Sequence, residues 1–142
     1  MKNAIKTLFA IVLFMLMPNM TFAQENPSTY NLRINNTSLG YDNTEHLCFS
    51  WNINSEKRGF NQKAYQIELS SNDKVIWNSG RINSSESILV PYNGPQLNPA
   101  TQYTWKVKIC SANGETSEWS QPSSFTTGLF TDKDWAGAKW IA

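Results

Sequence analysis

The sequence is poor in the side chains that carry out chemistry. One histidine, His46, and two cysteines, Cys48 and Cys110, occur in 142 residues. His46 stands beside Glu45 with no cysteine, second histidine or paired carboxylate at ligand spacing, so it is not read as a metal ligand. A Ser/His/Asp set would have to use that same histidine, and no GxSxG elbow is present, which argues against a hydrolytic triad. Charge is sparse and interspersed, 12 Lys and Arg against 11 Asp and Glu. Without a basic stripe or an acidic tail, neither nucleic acid nor an anionic membrane is an expected partner. Past Ala23 there is also no second long apolar run, and no apolar pattern at helical spacing beyond about two turns. No catalytic residue, cofactor ligand or metal ligand is assigned from the sequence.

The N-terminus is better provided. Lys2 and Lys6 flank the start of the run TLFAIVLFMLMP, which is short for a bilayer span, and TFA places small or hydroxylic residues before Gln24. That is the pattern of a secretory signal peptide, with cleavage expected between Ala23 and Gln24. Export to the periplasm or the exterior follows, with no membrane contact after cleavage. The lack of a cysteine beside the cut disfavours a lipid anchor. Removing the signal leaves roughly 119 residues, the size of one sandwich or barrel.

Two cysteines in an exported chain invite a disulfide. Their phase argues otherwise. In LCFSWNI the apolar set is Leu47, Phe49, Trp51 and Ile53; in YTWKVKIC it is Tyr103, Trp105, Val107 and Ile109. Cys48 and Cys110 fall in the opposite phase, so both thiols are expected on outward faces of different sheets, with no bond between them.

Period-two stretches separated by Asn, Gly, Ser and Pro predict an all-β chain. Strands are expected near Tyr30 to Asn35, Leu47 to Ile53, Ala64 to Ser70, Lys74 to Trp77 with a continuation to Ile82, Ser87 to Val90, Gln102 to Cys110, and Ser123 to Thr127. Seven short strands with such turns specify a Greek-key sandwich more readily than a closed barrel. The stretch LNPATQYTW fits that architecture. A tyrosine near the start of the sixth strand, bonding back to upstream backbone, is the tyrosine corner of these sandwiches, and Tyr103 is in that place. With Trp51 on the second strand and Tyr65 on the third, the chain resembles a fibronectin type III domain, a member of the immunoglobulin-like class, over roughly Tyr30 to Gly128.

Glycoside chemistry needs two carboxylates across a cleft. Asp42, Glu45, Glu56, Asp73, Glu86, Glu115, Glu118, Asp132 and Asp134 read as turn or solvated residues, and Glu68 sits in a strand on the polar phase. Of six tryptophans, Trp51 and Trp105 share the apolar phase and should be core. Trp77 should cover one edge of that core, and Trp119 is placed to pack on Lys106 or Lys108 by a cation–π contact. The sequons at Asn35, Asn36 and Asn83 are more simply turn asparagines.

Taken in order, FSW, AYQIELSS, VIWNSGRI, VPYNGPQL, TQYTWKVKI, SEWSQPSSFTTGL and DWAGAKWIA resemble the N-terminal region of secreted bacterial α-L-rhamnosidases. One departure is Asn78 in VIWNSG, where the family more often carries aspartate; a turn accepts either. The resemblance implies a signal peptide at 1–23, a linker at 24–29, a fibronectin-like sandwich at 30–128, and at 129–142 the start of a following domain. It also implies a non-catalytic module whose partners are downstream domains of the same polypeptide. The parent would be an inverting glycoside hydrolase meeting plant or bacterial glycans. From Thr131 onward the isolated chain should be loosely held. The alternative is a stand-alone exported carbohydrate-binding or adhesive module.

Overall fold

The computed structural model describes residues 26–35, 46–135 and 137. The signal-peptide stretch, Asp42, Glu45 and Trp140 lie outside them. Among the described residues seven strands form where the alternation is strong: β1 (Ser28–Ile34), β2 (Cys48–Asn54), β3 (Gln62–Ser71), β4 (Lys74–Asn78), β5 (Val90–Pro91), β6 (Gln102–Ser111) and β7 (Ser123–Thr126), followed by a 3-10 turn at Asp132–Trp135. They make two sheets, one of three strands in the order β1-β2-β5 and one of four in the order β4-β3-β6-β7. All pairings are antiparallel. The chain crosses between sheets after β2, β4 and β5, which gives the expected Greek-key sandwich, with β4 lying beside β3. β1 starts opposite the end of β2, at the Ser28–Asn54 pair, and β7 finishes opposite the start of β6, at Thr126–Gln102. The polypeptide therefore enters the sandwich at one end and leaves at the other.

The apolar phase of each central strand faces the opposite sheet. Phe49 and Trp51 from β2 meet Ile67 and Leu69 from β3 and Trp105, Val107 and Ile109 from β6, all fully buried. The rings of Phe49 and Trp105 pack at 4.6 Å between centroids. Trp77 and Tyr92 extend this aromatic group, 4.8 Å apart and edge-on. At the β3–β4 turn, Asn72 and Asp73 take φ of 49° and 61°, the left-handed pair that a tight hairpin requires.

Three polar residues hold the crossings. Tyr103 is buried, and its hydroxyl accepts the Asn98 N–H at 2.8 Å, so the tyrosine corner stands as expected. Thr127 Oγ1 accepts the Thr101 N–H and donates to the Asn98 carbonyl, at 2.8 and 2.6 Å. Gln62, only 3% exposed, accepts the Trp51 indole N–H at 3.1 Å and donates to the carbonyls of Ser84 and Glu86 at 3.1 and 2.8 Å. One amide thus satisfies the largest core side chain and pins the β4–β5 crossover.

That crossover differs from the sequence reading. The β4 strand stops at Asn78, where a turn carries Gly80 into φ of 63°. The expected continuation survives as a single bridge, in which Ile82 and Tyr65 exchange two backbone bonds of 2.9 Å. Strand β5 is two residues long because one side chain and one isolated backbone bond take the place of its ladder. Leu89, at φ of 53°, gives its N–H to Ser50 Oγ at 3.0 Å, while Ser87 accepts from Trp51 N–H at 2.9 Å. A corresponding device flanks β6, where Ser117 and Ser120 each donate a backbone N–H to that strand and accept one through the hydroxyl.

No disulfide joins Cys48 and Cys110. The expected outward exposure of Cys110 is corrected: it is 4% exposed. It does sit in the outer phase, paired with Ala64 on one side and bridged to Thr116 on the other, but Gln66, Arg81 and Lys108 line the hollow over it. Cys48 is half-buried.

Two measurements test these assignments. Tyr103→Phe should fold and lose about 1 kcal/mol, because one backbone N–H loses its acceptor, whereas Gln62→Leu, which leaves an indole and two carbonyls unsatisfied, should lose more, about 2–3 kcal/mol. Equal or reversed shifts in denaturation midpoint would contradict the ranking. In thiol titration of the folded chain, Cys48 should react first and Cys110 only on unfolding; a mass two hydrogens short would reveal a disulfide.

Candidate functional site

Among the described residues the carboxylates do not converge. Glu56, Asp73, Glu86 and Glu118 are exposed at separate turns and loops. Glu115 pairs with Lys57, joining the β6 hairpin-like loop to the β2–β3 loop. Glu68 projects from the outer face of the four-stranded sheet, bound to Lys106 Nζ at 2.8 Å and to the Asn78 amide at 3.2 Å. Asn78 Oδ1 also accepts the Gly80 N–H at 2.9 Å. Asparagine therefore does two jobs here, and aspartate could perform only the second. His46 is exposed at the start of β2. Among the described residues no group of three or more His, Cys, Asp and Glu is arranged to hold a metal ion.

The tryptophans are largely spoken for. Trp51 and Trp105 are core, Trp77 packs on Phe49 and Tyr92, and Trp119 lies under both Lys106 and Lys108, at 5.0 and 4.8 Å from its ring centre. Those are the roles expected of them. Trp135 is half-exposed, on the segment that leaves the sandwich.

The most organised surface is the end where the chain leaves. Tyr92 donates its hydroxyl to the Pro95 carbonyl at 2.7 Å, and a Cβ on Gly94 would stand 2.4 Å from the Tyr92 ring, so only glycine allows the loop to close over that ring. Burial pushes the Tyr92 hydroxyl up to about 12, with a smaller contribution from Tyr103. Beyond β7, Phe130 packs against the core cluster, and the Gly128 carbonyl accepts the Ala100 N–H at 3.0 Å. Asp134 Oδ2 accepts the N–H groups of Phe130 and Thr131 at 3.0 and 2.8 Å and the Thr131 hydroxyl at 3.0 Å. These bonds, the backbone one to Thr131 foremost, lower the Asp134 carboxyl below its usual range. Thr131 and Asp134 make one half of a capping box, a T-x-x-D spacing visible in the sequence. Between loop and tail lies a hollow of about 150 Å³ lined by His46, Leu47, Tyr92, Gly94, Pro95, Gln96, Leu97 and Phe130.

The fold and this arrangement define an immunoglobulin-like β-sandwich module with its most organised surface at the C-terminal end. Residues 29–131 match the family model described as the Rha78A-like, N-terminal immunoglobulin domain, and the chain belongs to that family. It is 42% identical over 109 residues to an α-L-rhamnosidase of Streptomyces avermitilis, covering 73% of this chain and 10% of that protein. To an α-L-rhamnosidase of Formosa agariphila it is 41% identical over 105 residues, covering 69% and 11%. Among solved structures, the Streptomyces avermitilis α-L-rhamnosidase complexed with L-rhamnose superposes with a TM-score of 0.75 at 35% identity, over 82% of this chain and 12% of that one. The α-L-rhamnosidase from Dictyoglumus thermophilum gives 0.72 at 30% identity, over 81% and 14%. The chain thus spans about a tenth of the length of the curated relatives it matches. The likeness falls on their small N-terminal domain and not on their catalytic region.

The raised Tyr92 hydroxyl predicts a pH effect. The folded state disfavours the phenolate, so this contribution to stability is complete below pH 10, the ordinary value, and is lost as pH rises through about 12. Denaturation midpoints should fall over that window, and Tyr92→Phe should lessen the fall; an identical alkaline limb in the variant would rule this out.

Proposed function

We propose that the chain serves as the non-catalytic N-terminal sandwich of a longer, exported α-L-rhamnosidase-like glycoside hydrolase, acting as spacer and packing surface for the domains that follow. In this reading residues 1–23 are the removed signal, 24–29 a short linker, 30–128 the sandwich, and 129–142 the lead into the next domain. The parent would hydrolyse terminal α-L-rhamnosides with inversion, using carboxylates of its own catalytic domain. The observation that carries the reading is the match of residues 29–131 to an N-terminal domain of proteins about ten times as long. The dispersal of the carboxylates among the described residues supports it, since glycoside cleavage needs two of them across a sugar-sized gap. So does the burial of Trp51 and Trp105, which removes two flat rings from any sugar-stacking surface.

The test is direct. The purified chain should release no aglycone from an aryl α-L-rhamnoside, and the exported product should have the mass of a chain starting at Gln24. Turnover by this chain would overturn the assignment of the chemistry to another domain, and a retained N-terminus would overturn the export.

A further inference from the structure

The sequence contains two Asn-Gly pairs, Asn93–Gly94 and Asn113–Gly114, and the fold treats them differently. An asparagine followed by glycine is open to attack by the main chain on its own side chain, because no Cβ on the second residue hinders the approach and glycine reaches the backbone angles required. Both asparagines are exposed. What separates them is the amide nitrogen that must attack.

Asn113–Gly114 forms the tip of the loop after β6, and that tip is tightly bonded. Gly114 takes φ of 83° and gives its N–H to the Ser111 carbonyl at 3.1 Å, while the Ser111 N–H closes the loop on the Glu115 carbonyl at 2.8 Å. Ser111 Oγ accepts the N–H groups of Asn113 and Glu115 at 3.2 and 3.1 Å. Asn93–Gly94 lies in the β5–β6 loop, where the Gly94 N–H has no acceptor among the described residues. The loop is held instead by the Tyr92 hydroxyl on the Pro95 carbonyl and by the closeness of the Tyr92 ring to Gly94, and neither engages the Gly94 nitrogen.

We propose that Asn93 is a site of spontaneous deamidation, and that Asn113 is protected by its turn. The Gly94 nitrogen, its proton passed to hydroxide, bonds to Asn93 Cγ as the Cγ–Nδ2 bond breaks, and Nδ2 leaves as ammonia with a proton taken from water. Water then opens the cyclic imide, at Cγ to leave aspartate, or at the main-chain carbonyl to leave isoaspartate, whose backbone runs through Cγ and is longer by a methylene. No oxidant or reductant is involved. Either product puts a carboxylate into the wall that Asn93 shares with Trp77 and Val90. Isoaspartate also lengthens the short loop that Tyr92 and Pro95 close.

The experiment holds the purified, folded chain at mildly alkaline pH and follows the peptides containing residues 93 and 113 over time by mass spectrometry, with fragmentation that separates isoaspartate from aspartate. Asn93 should convert several-fold faster than Asn113, with isoaspartate among its products, and its rate should rise with pH as attack by a deprotonated amide requires. In urea the two should convert at similar rates, since each is followed by glycine. Ser111→Ala, which takes an acceptor from two N–H groups of the protected tip, should raise the Asn113 rate and leave that of Asn93 unchanged. Conversion of Asn113 as fast as Asn93 in the folded chain would overturn the proposal, as would an advantage of Asn93 that persists undiminished in urea. So would an Asn113 rate untouched by Ser111→Ala, or aspartate at residue 93 without isoaspartate, the mark of direct side-chain hydrolysis.

Discussion

Phe49 packed on Trp105 is the contact on which the sandwich depends. Ladder hydrogen bonds hold each sheet together but run within it; what keeps the sheets face to face is the interdigitation of apolar side chains, and these two rings lie on the central strands β2 and β6. Buried aromatic rings are worth several kcal/mol each, against a total stability of about 5–15 kcal/mol for a domain. Trp77 and Tyr92 pack on Phe49 and Trp51 joins the same core cluster, and each brings a polar atom that burial obliges the fold to satisfy or leave at the surface. Gln62 for Trp51 and the Pro95 carbonyl for Tyr92 follow from that obligation.

The polar pins have a common logic. Where the chain leaves a ladder to cross between sheets, backbone groups lose their strand partners, and a side chain from a nearby strand replaces them. Gln62 serves the β4–β5 crossover, Tyr103 and Thr127 the β5–β6 crossover, and Ser50 the ragged start of β5. Each is a single residue standing where a strand would otherwise be needed, which lets short connections with irregular backbone stay ordered.

Much of this was legible in the sequence. The alternation of YTWKVKI placed β6 and its buried phase, LNPATQY placed the tyrosine corner, and the outward lysines of β6 located the seat of Trp119. Period-two reasoning stopped at irregularities. A register shift between Gln62 and Ala64 breaks the alternation at the start of β3 and turns Gln62 inward against Trp51, whereas Cys110, in register with Ala64, keeps its outer phase and is covered by side chains that the pattern does not place there. The length of β5 was likewise hidden, because SILV has strand composition but Leu89 turns into a left-handed conformation that no propensity announces. At the exit end the Thr131–Asp134 spacing was readable, whereas the space between Tyr92 and Phe130 is made by residues far apart in the chain. The family relationship, carried by short phrases spread along β2 to β7, was more legible than any of these details.

An odd number of strands places the two ends of the sandwich at opposite poles, and this has a mechanical meaning. Tension transmitted along a polypeptide that contains the module would pull β1 and β7 in opposite directions, parallel to their own lengths. The β1–β2 and β6–β7 ladders would then be loaded in shear, their bonds sharing the force, instead of being opened one at a time like a zipper. The bulge between Tyr30 and Arg33, which interrupts the β1 ladder near its middle, is the place where that sharing is least even and where sliding of the first strand would begin.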